Sequence, residues 1–261
     1  MKKILVCLPA FNEAQNIGGV LDELILRRNF GDMDFDILVI DDGSADATRQ
    51  IAKNRRIAVI SHIFNQGYGA ALKTAYIFAT RRGYDYIIQM DADGQHDIAN
   101  IDNILAIMLG ADAPDIAIGS RFMRGSADFP IPIHKKMAIA AFRLIIHIAA
   151  KKRVTDPTSG LQGISRAAFT FYAKYDNFSL DYPDANMIIQ MMLNDFEIAE
   201  FPAIMHRRNF GVSMHSGLLK PAAYLLKVSL NIAIICIREF SARRRRRLER
   251  KWAVLNEQTE N

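Results

Sequence analysis

The chain has 261 residues, of which 50% are hydrophobic and 23% charged. This composition is that of a globular rather than a disordered protein, and the length suits one large domain with at most a small appendage. Its two cysteines, Cys7 and Cys236, lie far apart in apolar runs, which excludes a disulfide framework and fits a reducing cytoplasmic setting. The net charge of +5 is uneven, since residues 1–130 carry −4 and residues 131–261 carry +9. An acidic first half could hold a metal, and a basic second half could face the phosphates of lipid or nucleic acid.

Strands and helices alternate over the first 120 residues. Short apolar runs predict five strands, at residues 4–8, 35–40, 57–60, 86–90 and 116–119. Helical spacing of apolar residues predicts helices between them, at residues 14–28, 45–54, 69–82 and 101–109. This alternation predicts an α/β fold with a mainly parallel, Rossmann-like sheet flanked by helices. Ligands of such sheets bind at the carboxyl ends of the strands, and that is where the polar clusters of this sequence fall.

The most informative cluster is Asp91-Ala92-Asp93-Gly94-Gln95-His96, directly after the fourth predicted strand. Residues two apart on an extended chain point the same way, so Asp91 and Asp93 can converge on one cation, with Gln95 beside them. Oxygen ligands suit Mg²⁺ or Mn²⁺, which bridge substrate phosphates. An isolated Asp-X-Asp is more often a polar turn that caps a helix. Its place among other polar strand ends favours the metal site.

Two further clusters follow strands. Asp41-Asp42-Gly43-Ser44 ends the second strand, where a carboxylate can accept a hydrogen bond from a base or ribose. Gly67-Tyr68-Gly69 resembles part of a phosphate-cradling loop, but the full glycine pattern of a dinucleotide fold is not met. The six histidines show no metal-ligand spacing, and we assign them no role.

The second half of the chain contains two helix candidates, at residues 133–153 and 220–240. Each combines a wide apolar face with one polar stripe: Lys136, Arg143, His147 and Lys151 in the first, and Lys220, Lys227, Asn231 and Arg238 in the second. This pattern is typical of helices that lie in a membrane interface, with ordinary surface helices as the alternative. The uninterrupted apolar run at 228–237 is shorter than the roughly 20 residues that span a bilayer.

Five consecutive arginines, Arg243–Arg247, follow the second helix. They could anchor the chain to anionic lipid headgroups or be a solvated charge run. The absence of interleaved aromatic residues argues against nucleic acid as a partner. We therefore predict a catalytic domain at residues 1–215, which includes the helix at 133–153, a membrane-associated amphipathic helix at 216–242, and a flexible basic tail at 243–261.

Five segments, in this order, resemble motifs of the family 2 inverting glycosyltransferases with the GT-A fold, in the branch of dolichol- and polyprenyl-phosphate sugar synthases. They are Leu8–Glu13, Asp41–Thr48, Asn65–Leu72, Asp91–His96 and Gly119–Phe122. The resemblance extends over residues 3–215. Gln162 and Met214 stand where such relatives often carry a basic residue, so the acceptor is less constrained than the donor.

The resemblance implies roles for the matching positions. The nucleotide sugar would contact Pro9, Phe11, Glu13, Asp42, Asn65, Gly69, Asp91, Ala92 and Asp93. The metal would be held by Asp91, Asp93 and Gln95. The catalytic residues would be Asp93, Arg121 and Arg208, with both arginines facing phosphate. The acceptor would contact Lys135, Lys136, Asp156, Ser159, Arg208 and Ser213.

The expected reaction is metal-dependent transfer, with inversion, of a sugar from a UDP- or GDP-linked donor to a polyprenyl phosphate such as undecaprenyl phosphate. The enzyme would be peripheral or monotopic at the cytoplasmic face of the cell membrane, would bind its anionic surface, and would serve cell-envelope polysaccharide synthesis. An ionised phosphate acceptor needs no strong base, so catalysis would be positioning and charge stabilisation. A homo-oligomer is compatible with the sequence.

Three alternatives stay open. A transferase that extends a glycan at a sugar hydroxyl would need a general base, for which Asp156 and Asp181 are candidates. An inactive membrane-bound scaffold is disfavoured by the intact Asp91, Asp93 and Arg121. A nucleotidyltransferase would normally carry a glycine-rich basic loop after the first strand, where this chain has Pro-Ala-Phe-Asn-Glu.

Overall fold

The computed structural model describes residues 2–30, 34–126, 132–174, 177–180, 183–207 and 227–241. The strands are β1 (Ile4–Ala10), β2 (Asp36–Asp41), β3 (Ala58–Ser61), β4 (Tyr86–Gln89), β5 (Ile116–Ser120), β6 (Gln162–Ser165) and β7 (Ile198–Pro202). The helices are α1 (Ile17–Phe30), α2 (Thr48–Asn54), α3 (Tyr68–Arg82), α4 (Asn100–Met108), α5 (Ile133–Ala150), α6 (Arg166–Ala173), α7 (Ala185–Leu193) and α8 (227–241).

The strands form one seven-stranded sheet in the order β3-β2-β1-β4-β6-β5-β7. Neighbouring strands are parallel, except that β6 runs antiparallel to both β4 and β5. The predicted α/β architecture with a mainly parallel sheet is confirmed, and all five predicted strands are present. The sheet also contains β6 and β7, which the hydrophobic pattern does not predict.

Helices cover both faces of the sheet, so every residue of β1 is buried. Leu5 and Cys7 point into the core on the side of α3 and α6, whereas Ile4, Val6 and Leu8 point toward α1 and α4. A continuous apolar run is typical of a parallel strand covered on both faces. Burial raises the pKa of the Cys7 thiol to about 12, which leaves it a packing residue rather than a reactive one.

The reversed direction of β6 determines where its preceding loop lies. A strand antiparallel to β4 and β5 begins at the edge of the sheet where those strands end. Residues 151–161, which we call the β6-entry loop, therefore lie beside the loops that follow β4 and β5. Gly163 lets β6 occupy this place, because a Cβ atom there would overlap the side chain of Ile104 in α4.

Helices α5 and α8 each have a buried face and an exposed apolar face. The buried residues are Ile139, Phe142 and Ile146 in α5, and Val228, Ile232 and Ile235 in α8. We call the exposed large apolar residues of the opposite faces the outer stripe: Ile133, Met137, Leu144 and Ile148 in α5, and Leu230, Ile234 and Ile237 in α8. Among the described helices, none has the length and apolar character needed to cross a bilayer.

The outcome for the basic stripe of α5 is mixed. Lys136 and His147 are exposed, as predicted, but Arg143 turns its guanidinium toward the β6-entry loop. Lys151 ends the helix in a left-handed conformation, with φ of 57°. The proposed domain boundaries at 215 and 242, and the Arg243–Arg247 run, lie outside the described residues and stay predictions.

Replacing Phe142 by alanine tests the packing of α5. Its side chain is fully buried, whereas that of Leu144 on the same helix is 59% exposed. We expect Phe142→Ala to lower the free energy of unfolding by about 3–5 kcal/mol, and Leu144→Ala to change it by less than about 0.5 kcal/mol. Urea denaturation followed by circular dichroism measures both. Equal effects of the two substitutions would contradict this orientation of the helix.

Candidate active site

Polar residues that follow β1, β2 and β4 meet at one edge of the sheet, because these three strands are neighbours. The Asp42 amide donates to the Ala10 carbonyl at 2.9 Å, which continues the pairing of β1 and β2. The loops after these strands also interlock, since the Asn12 amide donates to Ser44 Oγ at 3.0 Å. The predicted meeting of polar strand ends is therefore present.

The three residues predicted to line a nucleoside pocket lie on and after β1. Pro9 is buried in the strand, and Phe11 is 44% exposed. The Glu13 amide donates to Thr48 Oγ1 at 2.8 Å, and its Oε2 accepts from Asn16 Nδ2 at 2.7 Å. Of the three, Phe11 offers an accessible aromatic surface, and aromatic surfaces are suited to stacking on a base.

Asp42 is buried, and its carboxylate is surrounded by donors from this chain. Its Oδ1 accepts from the Gln66 amide at 2.9 Å and lies 2.6 Å from His62 Nδ1. Its Oδ2 accepts from the Gly67 amide at 2.8 Å. His62 Nε2 lies 2.9 Å from Thr74 Oγ1 in α3. We call this arrangement the Asp42–His62 clamp, and it fixes the chain that leads from β3 to α3.

The two other nucleotide-contact candidates on this chain segment differ in exposure. Asn65 is exposed and lies against Gly43, where a Cβ atom would be 2.8 Å from the Asn65 amide. Gly69 is buried, and a Cβ atom there would overlap the Leu180 carbonyl. The close approach of that backbone accounts for the glycine at position 69 without a nucleotide.

Asp91 follows β4 and is hydrogen-bonded to a side chain of α3. Its Oδ1 accepts from the Tyr68 hydroxyl at 3.0 Å. A Cβ atom at Gly160 would lie 2.9 Å from Asp91 Oδ2, so the β6-entry loop passes close to this carboxylate. Burial, followed by the charge of Asp91, raises the pKa of Tyr68 well above its usual range, which keeps the hydroxyl protonated as a donor.

Asp93 and His96 belong to the same turn. Asp93 Oδ1 accepts from the Gln95 amide at 3.0 Å. His96 Nδ1 accepts from the Asp91 amide at 3.2 Å, so the neutral ring carries its proton on Nε2, which lies 3.8 Å from Asp91 Oδ2. Burial lowers the pKa of His96 to about 4, against a smaller opposing effect of the Asp93 charge. His96 is therefore neutral near pH 7.

The side-chain oxygens of Asp91, Asp93 and Gln95 suit a divalent cation that a substrate also binds. Among the described residues, no group of three or more His, Cys, Asp or Glu side chains could hold a metal alone. Two carboxylates leave most coordination positions to waters and phosphate oxygens, which is the usual arrangement for Mg²⁺ at a phosphate substrate. Asp91, Asp93 and the adjacent Gln95 would hold such an ion.

A cleft of about 570 Å³ borders this turn on the side of α1. Its lining is polar and of mixed charge, and includes Asp93, His96, Asp97, Glu23, His206 and Arg207. The Gln95 carbonyl accepts from the His206 amide at 2.7 Å, so the chain after β7 forms one wall. The cleft places open space directly beside Asp93.

A buried ion pair lies at the end of β5. Arg121 Nε donates to Asp156 Oδ2 at 2.6 Å, and its Nη2 donates to Asp156 Oδ1 at 2.8 Å. Nη2 also donates to Thr158 Oγ1 at 2.8 Å. Burial alone would lower the pKa of Arg121, but the hydrogen bonds and charge of Asp156 outweigh it and raise the pKa. Arg121 is thus a fixed cation whose charge is matched.

Glu200 of β7 accepts three hydrogen bonds from the β6-entry loop. Its carboxylate accepts from the Thr155 amide at 2.7 Å, the Thr155 hydroxyl at 2.8 Å and the Asp156 amide at 2.8 Å. Ser159 is buried, and its hydroxyl donates to the Gly119 carbonyl at 2.5 Å. The Ser159 hydroxyl therefore links the β6-entry loop to β5.

The predicted acceptor residues divide by position. Asp156 and Ser159 lie in the β6-entry loop, and Lys136 is exposed on α5. Lys135 lies in α5, but its side chain lies outside what the structure describes, as do Arg208 and Ser213. The roles of these residues stay predictions.

Several residues of the site have no counterpart in the sequence prediction. The sequence assigns no role to the histidines, but His62 Nδ1 lies 2.6 Å from Asp42 Oδ1 and His96 Nδ1 accepts from the Asp91 amide. Tyr68 lies between Gly67 and Gly69, a segment that the sequence pattern marks, whereas Glu200 lies in β7, which that pattern does not predict. The fold alone identifies the partners of both residues.

Similar proteins were found among curated sequences. A polyprenol monophosphomannose synthase of Mycolicibacterium smegmatis is 29% identical over 231 residues, which cover 83% of this chain and 82% of that protein. An undecaprenyl-phosphate mannosyltransferase of Micrococcus luteus is 29% identical over 163 residues, which cover 60% of this chain and 64% of that protein. An uncharacterized protein of Methanocaldococcus jannaschii is 36% identical, and this chain spans 66% of its length.

Solved structures show the same fold. Glucosyl-3-phosphoglycerate synthase from Mycobacterium tuberculosis, in complex with Mn²⁺ and UDP-glucose, superposes with a TM-score of 0.64 at 21% identity, over 90% of this chain and 79% of that one. The family model for glycosyl transferase family 2 matches residues 5–174. This match covers most of the sheet and the whole Asp91–Asp93 turn, so the chain belongs to glycosyl transferase family 2 and is a glycosyltransferase of the GT-A fold.

Proposed function

We propose that this glycosyltransferase uses Mg²⁺ or Mn²⁺ to move a sugar, with inversion, from a UDP- or GDP-linked donor to a polyprenyl phosphate such as undecaprenyl phosphate. The observation that carries the proposal is the pair Asp91 and Asp93 at the end of β4, with Arg121 at the end of β5. Relatives named for polyprenyl-phosphate acceptors support the choice of acceptor.

The donor would lie across the ends of β1, β2 and β4. The Asp42–His62 clamp shapes the wall of the nucleoside pocket, and Phe11 offers a surface for the base. Asp91, Asp93 and Gln95 would hold the cation. When bound, such a cation neutralises charge that develops on the diphosphate leaving group. The hydrogen bond from Tyr68 orients the Asp91 carboxylate for that task.

The acceptor phosphate would meet Arg121. A guanidinium has five N–H donors, and the described contacts of Arg121 with other side chains use only Nε and Nη2. Its Nη1 group is thus suited to a phosphate oxygen. Arg208 and Lys136 would add positive charge around the same phosphate. A phosphate oxygen is already ionised near neutral pH, so it can attack the anomeric carbon without a base.

Extension of a glycan at a sugar hydroxyl is the second candidate, and it requires a general base. Asp156 is poorly suited to that role, because it is fully buried and both of its oxygens accept from Arg121. The other candidate, Asp181, lies outside the described residues. The burial of Asp156 therefore favours the phosphate acceptor.

We place this enzyme peripherally at the cytoplasmic face of the membrane, and the outer stripe supports its contact with a membrane. The side chains of the stripe are large, apolar and exposed on two helices, which is unusual for a surface in water unless it meets another apolar phase. Lys136 and His147 beside the stripe would face anionic headgroups. A polyprenyl chain would then stay in the bilayer while its phosphate reaches Arg121.

Removing one metal-binding carboxylate tests the reaction. We expect Asp93→Ala to lower sugar transfer to undecaprenyl phosphate by about 100-fold or more, because charge on the leaving group is no longer balanced. The assay uses radiolabelled UDP- and GDP-sugars in detergent, with Mn²⁺, Mg²⁺ or EDTA. Asp102→Asn is the control, since Asp102 lies on α4 in a surface ion pair. Transfer that persists in EDTA and in Asp93→Ala would contradict the proposal.

The Asp42–His62 clamp has its own test. We expect His62→Ala to weaken binding of UDP or GDP by about tenfold, because the buried Asp42 loses a hydrogen-bond partner and the pocket wall loosens. Calorimetry with both nucleotides in the presence of Mn²⁺ measures the effect. His147→Ala, at an exposed histidine of α5, should bind as the wild type does. Unchanged affinity in His62→Ala would remove the clamp from the donor site.

Membrane binding is tested on the outer stripe. Leu144→Ser combined with Ile148→Ser should weaken binding to vesicles of phosphatidylcholine and phosphatidylglycerol by at least about tenfold, since burying each side chain in an apolar phase contributes about 1.5–3 kcal/mol. Leu26→Ser combined with Phe30→Ser, at exposed apolar residues of α1, is the matched control. Vesicle flotation measures both. Equal loss in the two variants would speak against a specific docking face.

A further inference from the structure

Arg143 extends from α5 to two loops of the active site at once. Its Nε donates to the Thr155 carbonyl at 2.7 Å, and its Nη2 donates to the same oxygen. The guanidinium also lies over the ring of Phe122, 4.5 Å from the ring centroid. Thr155 belongs to the β6-entry loop and Phe122 follows Arg121, so one side chain joins the loops that precede β6 and follow β5.

Both contacts lie one residue away from the buried ion pair. Thr155 precedes Asp156, and Phe122 follows Arg121, whose own guanidinium lies 5.9 Å from the Phe122 ring centroid. A displacement of the Thr155 carbonyl would therefore also move Asp156 and Arg121, the residues proposed to lie beside the acceptor phosphate.

One face of α5 is buried against the core, and the opposite face belongs to the outer stripe. Phe142 is buried and Leu144 is exposed, so Arg143 lies between the core face and the stripe. It is half-buried, and its donors are directed to a backbone carbonyl. A hydrocarbon side chain could fill this space but could not donate a hydrogen bond to the Thr155 carbonyl. A lysine could donate to it but lacks the planar group that stacks on Phe122.

We propose that Arg143 is a positioning residue that couples the position of α5 on the membrane to the conformation of the β6-entry loop. It thereby affects the acceptor step but not donor binding. The proposal rests on the proposed lipid-phosphate acceptor. It assigns Arg143 a role distinct from that of the neighbouring cations, because Arg143 acts through Thr155 and Phe122 and does not contact a substrate itself.

Steady-state kinetics tests the assignment. For Arg143→Gln we expect kcat/KM for undecaprenyl phosphate to fall by about tenfold to a hundredfold, the usual effect of losing a charge-assisted hydrogen bond. Affinity for UDP or GDP with Mn²⁺ should stay within about twofold of the wild type, since the donor lies at the other strand ends. Arg143→Lys should recover part of the loss. Arg153→Gln, at an exposed arginine of the same loop, should behave as the wild type.

Hydrogen–deuterium exchange gives a readout that is independent of the reaction. We expect Arg143→Gln, but not Arg153→Gln, to speed exchange in peptides that cover residues 153–161. Vesicles of phosphatidylcholine and phosphatidylglycerol should slow exchange in this loop in the wild type, and this response should disappear in Arg143→Gln while α5 itself stays protected.

The two experiments separate failure of the proposed acceptor from failure of the inference. If the wild type labels no lipid, the acceptor assignment fails, and the exchange data still decide whether Arg143 links α5 to the loop. Exchange in residues 153–161 that is the same in Arg143→Gln and the wild type would overturn the role of Arg143. A parallel loss of nucleotide affinity would also overturn it, because the effect would then be general destabilisation.

Discussion

The carboxylate of Asp156 is fully buried, and a carboxylate is stable in such a place only when its charge and hydrogen bonds are matched. Arg121 supplies both, with two side-chain hydrogen bonds and a third from its amide. This pair ties the chain that leaves β5 to the chain that enters β6. Glu200 then fixes the adjacent backbone from β7. The chain after β5, the β6-entry loop and β7 are thus held together, and the acceptor side of the proposed site depends on one buried ion pair.

Much of the fold is predictable from hydrophobic periodicity. The first five strands and the helices between them contain either continuous apolar runs or clear helical spacing, which are the strongest local signals. β6 and β7 lack such signals. β6 has four residues, including Gly163, and β7 contains Glu200 and Pro202, which are rare in strands. Both strands exist because their partners hold them, and tertiary context of this kind is not visible in a short window of sequence.

The candidate site likewise contains some residues that are predictable from the sequence and others that are not. The place of Asp91 and Asp93 just after β4 is predictable from the apolar run before them, whereas their convergence on one cation stays a prediction. The residues that orient the side chains and loops of the site are distant in sequence from their partners. Tyr68 lies 23 residues before Asp91, and Glu200 lies 45 residues after Thr155. No spacing rule connects them. Arg143 belongs to the predicted basic stripe but turns inward, because a basic residue on an apolar helix suits a membrane interface and an inward hydrogen bond equally well.

The burial of the Arg121–Asp156 pair has a consequence for how substitutions of Arg121 are interpreted. The Asp156 carboxylate is fully buried, and Arg121 supplies its matching charge. Removing the guanidinium alone would leave that carboxylate buried without a counter-charge, which strongly destabilises a folded protein. A loss of activity in an Arg121 variant therefore reports on folding as well as on catalysis, and a measurement of its stability is needed to separate the two.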